Sequence, residues 1–228
     1  MQLFLIRHGQ SFNNALNDVT ARVADPELTE RGVEQARLVA AHLAAGGHLR
    51  ASERHGGPML DELYCSAMIR ALQTAEPIAR ALGLTPRVWT DVHEIGGIYL
   101  DNGDGTATGF PGCIRKEIAA RFAGFDCDGI GDRGWWRGGR ETPGEGRGRA
   151  VAAAERLTAR AGEPLRVGVV SHGDFMSALI KALADHLPSW GLQYHHENTA
   201  ITRIDFDRRV VVAYMNRADH LPTHLLSD

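Results

Sequence analysis

At 228 residues the chain is long enough for one large domain that buries most of its unfolded surface without disulfide or metal staples. Hydrophobic residues make up 43% and charged residues 23%, an ordinary globular balance, and a net charge of -3 argues against a general nucleic-acid or membrane-surface binder. Cys65, Cys113 and Cys127 are widely spaced with no paired-cysteine motif, which predicts free thiols in a reducing compartment, the cytoplasm, and no cysteine zinc site.

Gln2 to Ile6 is a nearly continuous apolar run, the pattern of a strand covered on both faces. It is too short for a signal-peptide core, and no later run approaches the roughly 20 apolar residues of a membrane span. A helix is predicted from Thr29, a capping residue, with Val33, Ala36, Ala40 and Leu43 at helical spacing and Gly46-Gly47 as its stop. Residues 62–66 (ELYCS) read as a strand and 67–83 as a helix in which Pro77 predicts a kink or two pieces. Residues 86–97 run from a strand into a glycine-ended loop, and 96–113 read as a long irregular excursion. A short helix is predicted at 114–122, then a second glycine-rich excursion at 123–149 carrying Trp135 and Trp136. A helix from Ala150 to Ala161, a buried strand at 166–173 and a helix at 174–187 follow, and two adjacent strands at 199–206 and 209–216 read as a hairpin. Strands alternating with helices predict an α/β fold, a three-layer sandwich with a mostly parallel central sheet flanked by helices. With no repeat or linker, residues 1–228 are expected to form a single domain with a glycine-rich insertion or lid at about 95–148.

In such a sheet, ligands sit beyond the carboxyl ends of the strands. The first strand ends in Arg7-His8-Gly9, and the strand at 166–171 leads into His172-Gly173. A third runs out at Asp91 to Glu94, and ELYCS leads to Arg70. Each residue alone has a bland reading as a solvated strand end or a structural histidine. Two His-Gly pairs after buried strands are hard to explain that way, and a glycine lets a ligand approach the backbone.

Phosphoryl transfer through histidine wants this set. Phosphate monoesters resist hydrolysis so strongly that about 20 kcal/mol or more of barrier lowering is needed. A neutral imidazole can attack phosphorus and split the reaction into two steps. Each fixed donor to the phosphoryl oxygens supplies only about 3–4 kcal/mol, so several are required. Arg7, Arg70 and His172 offer them without a metal, and Glu94 can protonate the leaving oxygen and then activate water.

"RHGQSFNN" resembles the R-H-G-x-S-x-x-N signature of the histidine phosphatase superfamily, the phosphoglycerate-mutase-like enzymes. "YCSAMIRALQTA" is similar to its S-x-x-x-R-A-x-x-T-A segment, "HEIGG" to its acid-bearing loop and "VVSHGDF" to its second histidine segment. The matches fall in family order from residue 3 to about 215. The resemblance implies His8 as nucleophile, Arg7, Arg70 and His172 as the phosphate pocket, and Glu94 as proton donor. It also implies Asn14 as a phosphate or substrate contact, with Gly173 adding a backbone N–H. Ser11 has two readings, ligand contact or cap of the local turn.

Other constellations fail on spacing. His93-Glu94 begins a zinc-protease motif, but Gly97 stands where the second histidine belongs. In the calcium-loop-like "DNGDGT", Gly103 and Gly105 occupy ligand positions. His195 and His196 are adjacent and in a strand would face opposite ways. No metal or cofactor is therefore expected. Trp135 and Trp136 have two roles open to them, lining a substrate pocket or anchoring a loop. Arg115 is expected either to contact the non-reacting part of the substrate or to be a solvated helix residue.

The favoured activity is a phosphomonoester hydrolase with a small-molecule substrate. The alternatives are a phosphoglycerate-type mutase and an inactive phosphate-pocket scaffold. Mutases of this family resemble one another in following the glutamate with a basic-aromatic stretch, whereas here no cation follows Glu94 until Arg115. Substrate identity and oligomeric state are not legible in the sequence.

Overall fold

In the computed structural model, which describes residues 1–54, 57–186 and 191–228, the first apolar run is strand β1 (Gln2–Arg7), inside the main sheet. Leu3 and Leu5 join the core on one face and Phe4 and Ile6 the core on the other, as the two-residue period of a strand requires. β2 (Glu62–Cys65), β3 (Arg87–Val88) and β6 (Arg166–Ser171) run parallel with β1, while β7 (Ile201–Phe206) and β8 (Val210–Arg217) form the antiparallel hairpin at the other edge. The order across the sheet is β3-β2-β6-β1-β7-β8. Helices α1 (Glu30–Ala44), α2 (Ile69–Leu82) and α3 (Arg115–Arg121) pack on the Phe4 face. Helices α4 (Pro143–Thr158) and α5 (Gly173–Leu183) pack on the Leu3 face, completing the three layers. No helix among the described residues is long and apolar enough to cross a membrane. The cysteines form no disulfide.

Five elements differ from their sequence-based expectations. α2 is one helix across Pro77, because Leu72, Ala75, Ile78 and Ala79 on both sides of the ring are buried against the sheet. Val33 is 56% exposed; the buried stripe of α1 is Gly32, Ala36, Val39 and Leu43, and Val33 lies about 100° round from it. α4 begins at Pro143 rather than Ala150, because Thr142 and Glu145 form a capping box with proline in the first turn. Three glycines in its first two turns hide that start from a periodicity reading. The stretch 96–113 contains the hairpin of β4 (Tyr99–Asp101) and β5 (Ala107–Gly109), and the "DNGDGT" segment makes its turn. The helix predicted at 174–187 ends at Leu183, and Leu187 lies outside the described residues.

α1 is held against the exit of β1 at backbone contact. A Cβ on Gly9 would lie 2.5 Å from the Gly32 carbonyl oxygen, and one on Gly32 would lie 2.1 Å from that of Gln10. Gly9 therefore serves helix packing rather than the ligand approach expected from the sequence. Gln35 Oε1 accepts from Gln10 N at 2.7 Å, and Gln10 O accepts from Thr29 N at 2.9 Å.

At the opposite end of the sheet, Arg203 is fully buried on β7. It donates twice to Glu53 at 2.6 Å and to Asp205 at 2.6 and 3.1 Å. These bonds to Arg203 are the main reason the Glu53 carboxyl is held at about 2.

The Gly32→Ala variant is expected to lose about 3 kcal/mol of stability in chemical unfolding, because the new methyl group meets backbone that cannot rotate away. The depressed Glu53 carboxyl contributes stability that is full above its ordinary value of 4.5 and is lost as pH falls toward about 2. Unfolding free energy measured across that window should fall with acid, and Glu53→Gln should flatten that part of the profile.

Candidate active site

His8 follows directly on β1, and its backbone is fixed on every side. Its N–H donates to Ser171 O at 3.0 Å, and its carbonyl accepts from Asn198 Nδ2 at 3.0 Å and Thr199 N at 3.3 Å. The next N–H, of Gly9, donates to Thr74 Oγ1 at 3.0 Å, and Thr74 in turn donates to the Arg70 carbonyl at 2.7 Å. Side-chain geometry sets the tautomer. His8 Nδ1 stands 2.7 Å from the Gly9 carbonyl oxygen, which only accepts, so Nδ1 carries the proton. Arg70 Nε donates to His8 Nε2 at 3.1 Å, which requires a lone pair there. Burial first, then Arg70 and Arg7, push the His8 pKa well below 6.5. The imidazole is neutral at neutral pH, with its free lone pair on Nε2.

His172 follows β6 in the same way, with its ring centroid 4.9 Å from that of His8. It is completely buried, and neither ring nitrogen has a hydrogen-bond partner. Burial, then Arg70 and His8, hold it well below the usual histidine range. Arg70 comes from the first turn of α2 and Arg7 from the last position of β1. Arg7 Nη1 donates to the His196 carbonyl, while its Nε is buried without a partner.

Glu94 lies at the N-terminus of α5. Its Oε1 accepts from Ile95 N at 2.8 Å and Phe175 N at 3.0 Å, and its Oε2 from Asp174 N at 3.3 Å. Burial and then the neighbouring Asp174 raise its pKa, against the pull of Arg70 and the backbone bonds. A carboxyl so placed keeps proton affinity beside two guanidinium groups, as a proton donor needs.

Arg7, His8, Ser11, Asn14, Arg70 and Glu94 line one cleft of about 280 Å³. A larger hollow of about 420 Å³, near Arg50 and Arg203, opens at the far end of the sheet, away from this chemistry. Ser11 both faces the cleft and caps a turn, its Oγ accepting from Asn14 N and donating to Asn14 Oδ1 at 2.8 Å. Gly173 lines an adjoining hollow with Arg7 and Glu94. Arg115 is not brought to the cleft: it donates to the Ile130 carbonyl at 2.8 Å and that of Asp128 at 2.9 Å, fastening its own excursion. Trp135 and Trp136 do not line the cleft either. Their rings lie 5.1 and 5.0 Å from that of His93, the residue before Glu94. Gly97, at φ +74°, makes room for Trp136, since a Cβ there would lie 2.3 Å from the indole. His195 is exposed and His196 buried, so the adjacent histidines point apart.

Several further residues shape the site. Asp25 Oδ1 lies 3.7 Å from Arg70 Nη1 and accepts from Ile69 N at 3.1 Å; burial raises its carboxyl to about 6 despite Arg70. Asp174, directly after the second His-Gly pair, enters the cleft. Arg22 also lines it, from a segment with no motif signal, and its guanidinium makes no ion pair among the described residues. The loop bearing Glu94 is clamped by Arg149 on α4, which donates to the carbonyls of Asp91 and His93 at 2.8 Å each. Arg149 also binds Glu141 at 2.9 and 2.7 Å, and Gly96 N donates to Glu141 Oε2 at 3.2 Å. Burial alone would raise the Glu141 carboxyl, but His93 and Arg149 bring it to about 2. Nothing local in the sequence announces this clamp, which joins positions far apart in the chain.

Among solved structures, the chain is similar to the phosphoserine phosphatase of Entamoeba histolytica in complex with 3-phosphoglyceric acid. That likeness has 23% identity and a TM-score of 0.60, over 97% of this chain and 99% of the other. It is also similar to mycobacterial glucosyl-3-phosphoglycerate phosphatase in complex with VO3, at 22% identity and a TM-score of 0.58, over 95% and 99%. At these identities the likeness carries the fold. A 2,3-bisphosphoglycerate-dependent phosphoglycerate mutase of Azorhizobium caulinodans is 40% identical over 83 residues, 36% of this chain and 35% of its own length. Matches to curated relatives span 15% to 38% of those proteins' lengths. The profile of the histidine phosphatase superfamily (branch 1) matches residues 3–216, from the strand that carries His8 through the hairpin at the sheet's edge. The chain belongs to that superfamily.

Proposed function

We propose that the protein is a metal-independent phosphomonoester hydrolase working through a phosphohistidine on His8. One observation carries this reading: a neutral imidazole, its lone pair fixed on Nε2, faces a guanidinium and a second imidazole with no partner of its own. In the first step His8 Nε2 attacks phosphorus and the bond from phosphorus to the ester oxygen breaks. Arg70 Nε–H leaves the His8 lone pair for a phosphoryl oxygen, with Arg7 and His172 holding the others. Glu94 gives its proton to the departing oxygen. In the second step the Glu94 carboxylate takes a proton from water, the water oxygen bonds to phosphorus, and the bond from Nε2 to phosphorus breaks. Inorganic phosphate leaves and the starting protonation states are restored.

Hydrolysis is preferred to phosphotransfer because the chain after Glu94 contributes Ile95, Gly97 and Tyr99 to the cleft, and no cation. An inactive scaffold would not need a polarised acid beside the nucleophile. Arg22, without an ion pair among the described residues, suits a carboxylate on the non-reacting part of the substrate, and we assign the substrate to small phosphorylated acids. The names of the two structural relatives, a phosphoserine phosphatase and a glucosyl-3-phosphoglycerate phosphatase, support that class.

In excess chelator, the wild-type protein is expected to release phosphate to water from a panel of phosphomonoesters. His8→Ala should lower the rate by roughly a thousandfold or more, and rapid quench into alkali, which preserves a phosphohistidine, should recover label on the wild type and none on the variant. Isomerised product without free phosphate would instead establish the mutase. Arg22→Ala should raise KM about tenfold for phosphoserine and 3-phosphoglycerate and leave glycerol phosphate unchanged, measured by steady-state kinetics.

A further inference from the structure

We propose that His42, Asp219 and His220 form a binding site for a zinc-like divalent transition-metal ion, separate from the cleft and independent of the reaction at His8. His42 stands in the last turn of α1, and Asp219 and His220 follow β8, so an ion here would staple two distant parts of the chain. One ligating atom from each residue lies within 4.8 Å of the other two. Donors around tetrahedral zinc, at about 2.0–2.1 Å from the ion, stand roughly 3.3 Å apart, so small side-chain shifts close the cluster.

The ring nitrogens supply a second observation. Among the described residues, His42 Nε2 and His220 Nδ1 are both buried without any hydrogen-bond partner, and the rings lie 5.2 Å apart. The other nitrogen of His220, Nε2, is 3.1 Å from Thr199 Oγ1. A hydrogen bond on the far side of a ligating imidazole is what fixes ring and tautomer in metal sites. His42 is wedged in place, since a Cβ on Gly47 would lie 2.3 Å from its ring. Arg217 aims the carboxylate, donating to Asp219 at 3.0 and 3.1 Å and to the Gly47 carbonyl at 2.7 Å. Arg217 and Arg54 are the cations acting on His42, and Asp219 is the anion. The unpartnered Nε2 of His42 and Nδ1 of His220 are the ring atoms left to coordinate an ion. Two neutral imidazoles and one carboxylate suit zinc, cobalt or nickel rather than magnesium or calcium. The other such cluster, His195, Glu197 and Asp228, differs: His195 Nε2 already lies 3.4 and 3.0 Å from the two carboxylates, and none of its atoms is an orphaned buried nitrogen.

The test is titration of the tag-free, metal-stripped full chain with Zn²⁺ by calorimetry and with Co²⁺ by visible absorption. One equivalent should bind, with the intense absorption of four-coordinate cobalt, and a hundredfold excess of Zn²⁺ over Kd should raise Tm by roughly 5–10 °C. His42→Ala and His220→Ala should each lower affinity at least tenfold, Asp219→Asn less, and His195→Ala not at all. Circular dichroism and phosphomonoester turnover report that the variants are folded. Absence of stoichiometric binding to the wild type would overturn the proposal without any variant. So would binding unchanged in both His42→Ala and His220→Ala, or lost in His195→Ala.

Discussion

The site depends on keeping an imidazole neutral while surrounding it with positive charge. Burial and two guanidinium groups act together on His8, and both oppose its protonation. In the proposed reaction the same cations attract the phosphoryl dianion, so what keeps the proton off His8 also binds the group that His8 would attack. The guanidinium groups lose some basicity on burial but remain charged, being far above neutrality to begin with. Around them stand carboxyl groups with raised proton affinity, Glu94, Asp174 and Asp25. They temper the cationic field without filling it.

The sheet makes this possible by geometry. β1 and β6 are adjacent and parallel, so Arg7 pairs with Ser171 across the sheet, and the residues that follow, His8 and His172, come out side by side. The N-terminus of α5 then holds Glu94 through backbone N–H groups. Contacts at backbone distance between α1 and the β1 exit, through Gly9 and Gly32, leave His8 no slack. Positioning of this kind matters because a misplacement of about 1 Å can cost a hundredfold in rate.

Much of this was legible in the sequence. Apolar runs that end on polar residues marked β1 and β6, and the parallel order turned those endings into one site. His8, Arg7, Arg70, Glu94, Ser11 and Asn14 reach the cleft as a group for that reason. What stayed hidden was either masked locally or joined at long range. Glycines at 144, 146 and 148 disguised the first turns of α4, although Thr142 and Glu145 wrote its cap plainly. Arg149 looked like any helix arginine, because its partners at 91, 93 and 141 meet it only after folding. Arg115 drew attention by standing at a helix start after a glycine-rich loop, but the nearest carbonyls, not a ligand, satisfy its donors.

The two tryptophans of the glycine-rich stretch pack their rings against His93, one residue before Glu94. The parts of that stretch are therefore coupled unequally to the loop that carries Glu94. The turn at 102–106 is exposed, whereas the Trp-Trp step cannot be redrawn without moving the residue that precedes Glu94.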